Sequence, residues 1–346
     1  MRRPSLRLLF LAGGALASRS LAASTPPGLP GLGRRELHDD LDSHGGRAWD
    51  SEDSDTPLPL LIWHGLGDAA SSEGIQAVGA LAEALQPGIL VHSIALGDDA
   101  NADRSATFFG NVTAQLEAVC ATLAAHPILS TAPAVDAIGF SQGGQFLRGY
   151  VERCNAPRVR TLVTFGSQHN GIVEFKACGS SDWLCKGAMT LLRFNTWSDF
   201  VQSRLVPAQY FRDPAADYQT YLDSSNFLAD INNERAVKNE AYRRNIAALD
   251  NLVMYMFEDD TTVIPRQTSW FGEVNGTDVT PLRERALYKE DWLGLRELDR
   301  KGGLQFRSIT GGHMQIPQQV LNDTMAEFLG PYKKAKGGAG FESDEL

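Results

Sequence analysis

Six mostly apolar runs along the chain each predict a β-strand with both faces buried. They cover residues 58–63, 88–95, 135–138, 159–165, 252–257 and 304–309. Between these runs, apolar residues recur every three or four positions, which predicts helices over residues 75–85, 112–123 and 319–329. Strands that alternate with helices indicate an α/β fold with a mostly parallel central sheet and helices on both of its faces.

A long segment, residues 170–250, interrupts this alternation with sequence that is mostly helical. Its aromatic residues are Trp183, Phe194, Trp197, Phe200, Tyr210, Phe211, Tyr218, Tyr221, Phe227 and Tyr242. Ligands of such folds bind at the carboxyl edge of the sheet. The segment follows the fourth apolar run, residues 159–165. We therefore expect it to form a helical cap over that edge. Most of its aromatic side chains should pack within the cap, and some should line a groove beneath it.

The third apolar run ends in the pattern Gly-x-Ser-x-Gly at residues 139–143, and helix-forming sequence follows at once. This order of strand, turn and helix predicts a nucleophile elbow, in which a strained turn presents Ser141 at the carboxyl end of the strand. Gly139 and Gly143 suit the turn because a β-carbon at either position would collide with the neighbouring strand or helix. The elbow indicates an α/β-hydrolase fold with a serine nucleophile.

A histidine must take the proton of that serine, and α/β-hydrolases place it after the serine and the acid in the chain. Only His169 and His313 follow Ser141, and His169 precedes the later strands. We therefore expect the base to be His313, which lies in a glycine-bearing loop after the last apolar run.

The acid should stand at the end of the preceding strand, where Glu258, Asp259 and Asp260 follow one another. Its task is to orient the histidine and stabilise the imidazolium. Neighbouring side chains of a strand point to opposite faces, so at most one of the three can serve. Spacing alone leaves the choice open.

The developing oxyanion needs backbone N–H donors from two places. One is the residue after the nucleophile, Gln142, and the other belongs to the loop after the first strand, residues 64–68, where Leu66 is the expected donor. His64 in that loop precedes the serine and is expected to be structural. No histidine pair has the spacing of a zinc site, so we expect no metal.

Composition and charge narrow the class of partner. The chain has 346 residues, of which 43% are hydrophobic and 21% charged, as in ordinary globular proteins. Its formal net charge is -10, and no stripe of lysine or arginine runs along it. We therefore expect no nucleic-acid partner, because phosphate backbones require such stripes. The oligomeric state is left open.

The amino-terminal residues predict a secretory signal peptide over residues 1–23. A cationic start precedes a short apolar run at residues 8–17, which ends in a small-x-small pattern. Arg19 interrupts the run before the roughly twenty apolar residues that a membrane span needs, and no later run is long enough. Residues 24–57 predict a disordered lead-in, residues 58–332 the hydrolase domain, and residues 333–346 a flexible tail.

An oxidising lumen makes disulfides the default state of the four cysteines. Cys178 and Cys185 are close in sequence, and Cys120 and Cys154 each fall near the end of a predicted helix. We expect one disulfide between Cys120 and Cys154 and another between Cys178 and Cys185, although four cysteines allow three connectivities.

Other features concern the route through the secretory pathway. Glycosylation sequons begin at Asn111, Asn275 and Asn322. The last four residues, Ser343, Asp344, Glu345 and Leu346, are similar to signals for retention in the endoplasmic reticulum, although the first position is not basic.

Several strings that carry no triad chemistry resemble one family, the palmitoyl-protein thioesterases, over about residues 58–332. They are IWHGLGD at 62–68, GFSQGGQFLR at 139–148, GSQHNG at 166–171, FLADINNER at 227–235, WFG at 270–272 and LGLRELD at 293–299. The resemblance implies Ser141 as nucleophile, His313 as base and, among the three acids, Asp260. It also supports the two disulfide pairs. The chain departs from the family at Ala70 and Ser71, where an adjacent cysteine pair is absent.

The resemblance implies hydrolysis of the thioester between a long fatty acyl chain, typically palmitate, and cysteine in S-palmitoylated proteins or peptides. It implies no cofactor, and it favours the lysosome or a vacuole over retention in the endoplasmic reticulum or secretion. Two alternatives stay open at this stage. One is a broader lumenal lipase or carboxylesterase that acts on oxygen esters, and the other is a catalytically silent binding protein.

Overall fold

The computed structural model describes residues 56–174, 183–192, 195–213 and 218–331. The predicted signal peptide, nearly all of the lead-in, the carboxyl-terminal tail, Cys178 and Phe194 lie outside the described residues. The predictions made for them stay predictions.

Eight strands occur in the described part of the chain. They are β1 Leu60–Trp63, β2 Val91–Ser93, β3 Val135–Phe140, β4 Val159–Phe165, β5 Asn251–Phe257, β6 Glu273–Asn275, β7 Asp278–Thr280 and β8 Leu304–Ile309. Six of them form one sheet in the order β2-β1-β3-β4-β5-β8, with every neighbouring pair parallel. Strands β6 and β7 form a separate antiparallel hairpin. All six apolar runs therefore form the parallel sheet that was predicted.

Helices flank this sheet on both faces. The described α-helices are α1 Glu73–Leu85, α2 Ala100–Ala106, α3 Val112–Ala125, α4 Gln142–Arg153, α5 Trp183–Leu192, α6 Asp199–Gln202, α7 Tyr218–Ser224, α8 Leu228–Ile231, α9 Glu240–Ala247, α10 Leu295–Arg300 and α11 Gln318–Phe328. Leu60 and Ile62 of β1 pack with α1 and α11, whereas Leu61 and Trp63 pack with α3 and α4. Alternate side chains of each strand thus enter two separate cores. Together with the turn at Ser141, this architecture confirms the α/β-hydrolase fold.

Strand β2 is shorter than the run that predicted it. It covers Val91–Ser93 and pairs only with β1, at the edge of the sheet. Gly88, at the start of the run, has a φ of 88°. A strand requires negative φ, so the extended backbone cannot begin there.

The long segment between β4 and β5, residues 170–250, contains helices α5 to α9. The last two, α8 and α9, pack against α4, on the sheet face that α3 also covers. Tyr221, Phe227 and Tyr242 contribute to that core. The carboxyl-terminal part of the segment therefore completes the crossover from β4 to β5. That residues 170–250 form one cap over the sheet edge stays a prediction.

The disulfide predicted between Cys120 and Cys154 is confirmed. It joins the last turns of α3 to the residue that follows α4, so it ties together two helices on the same face of the sheet. Cys185 lies on α5, and its predicted partner Cys178 is outside the described residues.

The sequon asparagines differ in their surroundings. Asn275 is exposed on the hairpin of β6 and β7. The side chain of Asn111 caps α3 by accepting a hydrogen bond from the Ala114 N–H at 3.1 Å. Asn322 lies within α11. Across the described ranges, the helices are too short or too polar to cross a lipid bilayer.

A buried carboxylate in the sheet makes stability depend on pH. Asp136 of β3 is fully buried, and its Oδ1 accepts a hydrogen bond from Arg160 Nε at 2.9 Å. Burial raises the pKa of Asp136 from 3.8 to about 6, although the Arg160 guanidinium acts in the opposite direction. A raised pKa in the folded state gives a stabilising contribution that is fully present below the unfolded pKa and lost as pH rises through the folded pKa.

We predict that the Asp136→Asn variant lacks this dependence, because its amide resembles the neutral carboxyl group. Relative to the variant, the wild-type protein should lose up to about 3 kcal/mol of unfolding free energy as pH rises from about 4 to about 7. Urea unfolding of both proteins across that range measures the difference. A difference that does not change with pH would contradict the shift.

Candidate active site

The parallel strands bring the predicted site residues to one edge of the sheet. Trp63 pairs with Gly139, Phe140 with Phe165, and Phe257 with Ile309. The strands therefore end together, and the residues that follow β1, β3, β5 and β8 meet at the carboxyl edge.

Ser141 stands at the tight turn between β3 and α4. Its φ of 52° and ψ of -124° lie in a region that non-glycine residues rarely adopt, so the backbone is strained there. The turn is held by the Ser141 N–H, which donates to the Phe165 carbonyl at 2.8 Å. Ser141 is only 8% exposed, but it lines a cavity and can be reached from there, as the predicted elbow requires.

Close backbone contacts explain the two glycines of the elbow. A β-carbon at Gly139 would lie 2.2 Å from the Cα of Gly144. One at Gly143 would lie 2.3 Å from the carbonyl oxygens of Trp63 and His64. Any larger residue would therefore push α4 away from β3 or from the loop after β1.

The structure brings Ser141, His313 and Asp260 into one chain of contacts. His313 Nε2 lies 3.0 Å from Ser141 Oγ, and His313 Nδ1 lies 2.7 Å from Asp260 Oδ2. Both distances are those of hydrogen bonds. The imidazole rests edge-on against the ring of Phe257, with 5.8 Å between ring centroids. A base in this position can take the serine proton.

Burial separates Asp260 from the two acids before it. Glu258 and Asp259 are exposed, and Glu258 accepts hydrogen bonds from the hydroxyl groups of Ser308 and Thr310. Asp260 is buried and accepts from the N–H groups of Thr262 and Val263 at 2.7 and 2.9 Å.

Burial raises the pKa of Asp260, but its hydrogen bonds with His313 and with the two N–H groups outweigh that effect and hold the pKa below its usual value. The carboxylate therefore stays charged beside the imidazole.

The other histidines near the sheet edge have different partners. His169 is fully buried, with its Nε2 at 3.0 Å from Thr164 Oγ1, and burial holds its pKa well below the usual value, with the nearby Arg148 acting in the same direction. His64 is also buried, and its Nε2 lies 3.1 Å from Asp103 Oδ2. Among the described residues, no group of three or more histidine, cysteine, aspartate or glutamate side chains could hold a metal ion.

The two expected oxyanion donors lie beside the serine. Gln142 is the first residue of α4, where helical N–H groups have no partner within the helix. The loop after β1 passes close to the serine, because a β-carbon at Gly65 would lie 3.1 Å from Ser141 Cβ. Leu66 follows and lines the same cavity as Ser141. Neither the Leu66 nor the Gln142 N–H donates a hydrogen bond to another described residue.

Ser141 and His313 open onto a cavity of about 610 Å³. Its walls are mainly apolar and include Ile75, Val78, Phe108, Met189, Met314 and Leu321. Such a cavity suits a long apolar ligand whose reactive carbon reaches the serine.

The residues that line the cavity are not mainly the aromatic residues that were expected to line a groove. Of the aromatic residues singled out in the sequence, only Tyr210 lines the cavity within the described ranges, while Trp183 and Phe200 are exposed. Helix α1 and the segment after His313 supply much of the wall instead. Their helical periodicity predicted buried side chains, but periodicity does not tell a wall from a core.

The chain is similar to known proteins of one family. Residues 59–313 match the family described as palmitoyl protein thioesterase. The chain belongs to this family. Palmitoyl-protein thioesterase 1 of Caenorhabditis elegans is 38% identical over 277 residues, which cover 79% of this chain and 92% of that protein. Palmitoyl-protein thioesterase 3 of Dictyostelium discoideum is 32% identical over 278 residues, covering 79% and 91%. Lysosomal thioesterase PPT2 of Rattus norvegicus is 29% identical over 253 residues, covering 71% and 78%. The family resemblance seen in the sequence is confirmed.

The three adjacent acids allow a matched test of the site. We predict that Asp260→Asn slows the labelling of Ser141 by a fluorophosphonate about 10³-fold or more, because the imidazole loses the carboxylate that orients and stabilises it. Asp259→Asn should change the labelling rate less than twofold. Labelling followed by peptide mass spectrometry measures both variants. Equal rates for the two variants would contradict the role of Asp260.

Proposed function

We propose that this protein is a serine thioesterase that cleaves the thioester between a long-chain acyl group, such as palmitate, and cysteine in S-acylated proteins or peptides. The observation that carries the proposal is the hydrogen-bonded chain from Ser141 through His313 to Asp260 at an apolar cavity. Membership of the palmitoyl protein thioesterase family supports the thioester as the bond that is cleaved.

In the first step, Ser141 Oγ attacks the thioester carbonyl carbon while His313 Nε2 accepts the hydroxyl proton. The carbonyl oxygen gains the negative charge, which the N–H groups of Leu66 and Gln142 would stabilise. Asp260 keeps the imidazolium in place. The carbon–sulfur bond then breaks, and the proton on His313 passes to the departing cysteine sulfur, directly or through solvent, so that the imidazole is neutral again. The product is an acyl-serine.

In the second step, water attacks the acyl-serine carbonyl carbon, and His313 now accepts the proton of the water. The bond between the carbonyl carbon and Ser141 Oγ breaks, the serine recovers its proton, and the fatty acid leaves. No metal or cofactor has a part in either step.

The walls of the cavity support a long acyl chain as the recognised group. Apolar side chains from α1, from Phe108 just after α2 and from the segment after His313 surround it, so each methylene that enters leaves water for an apolar surface. The cysteine side of the substrate would remain at the solvent-facing mouth, because Ser141 lies at the carboxyl edge of the sheet.

We further propose the lumen of the secretory pathway, and the lysosome in particular, as the place of action. The predicted signal peptide, the Cys120–Cys154 disulfide and the relatives named as lysosomal thioesterases support this location. The Ser343 to Leu346 tail would instead favour the endoplasmic reticulum.

Paired substrates test the proposed function. We predict that kcat/KM for a palmitoyl-cysteine peptide exceeds that for the matched palmitoyl-serine peptide, and falls as the acyl chain is shortened to octanoyl. Ser141→Ala should lower kcat by at least about 10⁴-fold, because no other group forms the acyl-enzyme. The exposed Ser130→Ala variant serves as the control. Faster cleavage of the oxygen ester would favour a lipase or carboxylesterase, and full activity in Ser141→Ala would overturn the proposal.

A further inference from the structure

A second buried aspartate lies beside the site, on helix α2. Asp103 is 2% exposed and has three polar neighbours, two in the loop after β1 and one in the segment after β2. Its Oδ2 lies 3.1 Å from His64 Nε2 and accepts from the Ala70 N–H at 2.8 Å. Its Oδ1 accepts from the Leu96 N–H at 2.7 Å, in the segment after β2. One carboxylate oxygen thus contacts both ends of the loop formed by residues 64–70.

Helix α2 also holds the middle of the same loop. The Gly67 N–H donates to Thr107 Oγ1 at 2.9 Å, and the Gly67 carbonyl accepts from Arg104 Nε at 2.9 Å. Thr107 further accepts, through its carbonyl, a hydrogen bond from the Gln142 side chain at 3.4 Å. Both expected oxyanion donors, Leu66 and Gln142, therefore belong to segments that contact this helix and the residue after it.

We propose that Asp103 is a positioning residue for the reaction: it holds residues 64–70 so that the Leu66 N–H faces the oxyanion. The inference rests on the proposed function. Asp103 itself does not touch the substrate, and its effect passes through the loop.

The chemistry of the carboxylate explains why this position needs aspartate. It accepts one backbone N–H at each of its two oxygens and lies beside a histidine, and an amide side chain cannot accept at both of its ends. In Asp103→Asn, the NH₂ group must face either the Leu96 N–H or the Ala70 N–H. Burial raises the pKa of Asp103, but hydrogen bonds with His64, Ala70 and Leu96 outweigh it, so the pKa lies below the usual value and the group stays ionised.

The contacts inside the loop leave Leu66 dependent on its flanks. Gly67 has a φ of 79°, a left-handed conformation that directs the chain back toward α2. Leu66 lies between His64 and Gly67, which both contact α2 or the residue after it, and its side chain is partly exposed. A displacement of the loop ends would therefore move its N–H relative to Ser141.

The test compares Asp103→Asn with Asp99→Asn, which removes an exposed carboxylate from the amino-terminal cap of the same helix. Four quantities are measured: kcat and KM for a palmitoyl-cysteine peptide, the Ki of palmityl trifluoromethyl ketone, and the Kd of palmitate. The ketone forms an adduct with the serine that carries an oxyanion, whereas palmitate reports only on the cavity.

We expect kcat of Asp103→Asn to fall about 10- to 100-fold, and the ketone affinity to fall by the same factor, because a misplaced donor weakens oxyanion binding. KM and the palmitate Kd should change less than about twofold. Asp99→Asn should match the wild type in all four quantities.

If Asp103→Asn does not fold, His64→Gln gives the second test, because it removes one contact of the carboxylate and leaves both backbone contacts. A smaller fall in kcat with a parallel loss of ketone affinity is expected. Unchanged ketone affinity in a folded variant, or a loss of palmitate binding equal to the loss of kcat, would overturn the positioning role. An inactive wild-type protein would overturn the proposed function as well, whereas an active wild type with an equally active Asp103→Asn would overturn the positioning role alone.

Discussion

The close approach of α4 to β3 and to the loop after β1 is the constraint on which the rest of the site depends. This close packing is possible only because Gly139 and Gly143 have no β-carbon. The approach forces Ser141 into its strained conformation and brings the first N–H group of α4 next to the serine oxygen. The parallel register then sets the ends of β5 and β8 at the same edge, so that an acid and a histidine can reach the serine from the side.

Two pairs of aspartate and histidine lie near Ser141, each with a buried aspartate, and the two aspartates have similar partners. Asp260 contacts His313 and two backbone N–H groups, and Asp103 contacts His64 and two backbone N–H groups. The histidine and the backbone N–H groups together keep each carboxylate charged in a buried place. They differ in what the histidine can reach: His313 contacts the serine, whereas His64 lies at the base of a loop. We propose that the same local chemistry serves proton transfer in one place and loop geometry in the other.

The sequence predicted the sheet well, because strands buried on both faces appear as apolar runs that need no further context. It also led to Ser141 and His313, since the elbow and the order of residues leave few alternatives. Asp260 could not be chosen by spacing, because exposure separates it from Glu258 and Asp259 and exposure depends on the fold. In the sequence, nothing distinguishes Asp103 from the solvent-exposed acids near it. The residues that line the cavity look like core residues, because a linear pattern does not show which buried side chains border an empty space.

The central claim is that Ser141 carries the acyl group between the two steps. Rapid acid quenching of the protein with a palmitoyl-cysteine peptide, followed by mass spectrometry of the digested protein, measures this directly. The account predicts one palmitoyl group on the peptide that contains Ser141, formed before fatty acid accumulates and lost as turnover ends. Turnover of the thioester with no acyl group on Ser141, or with the acyl group on another residue, would contradict the account.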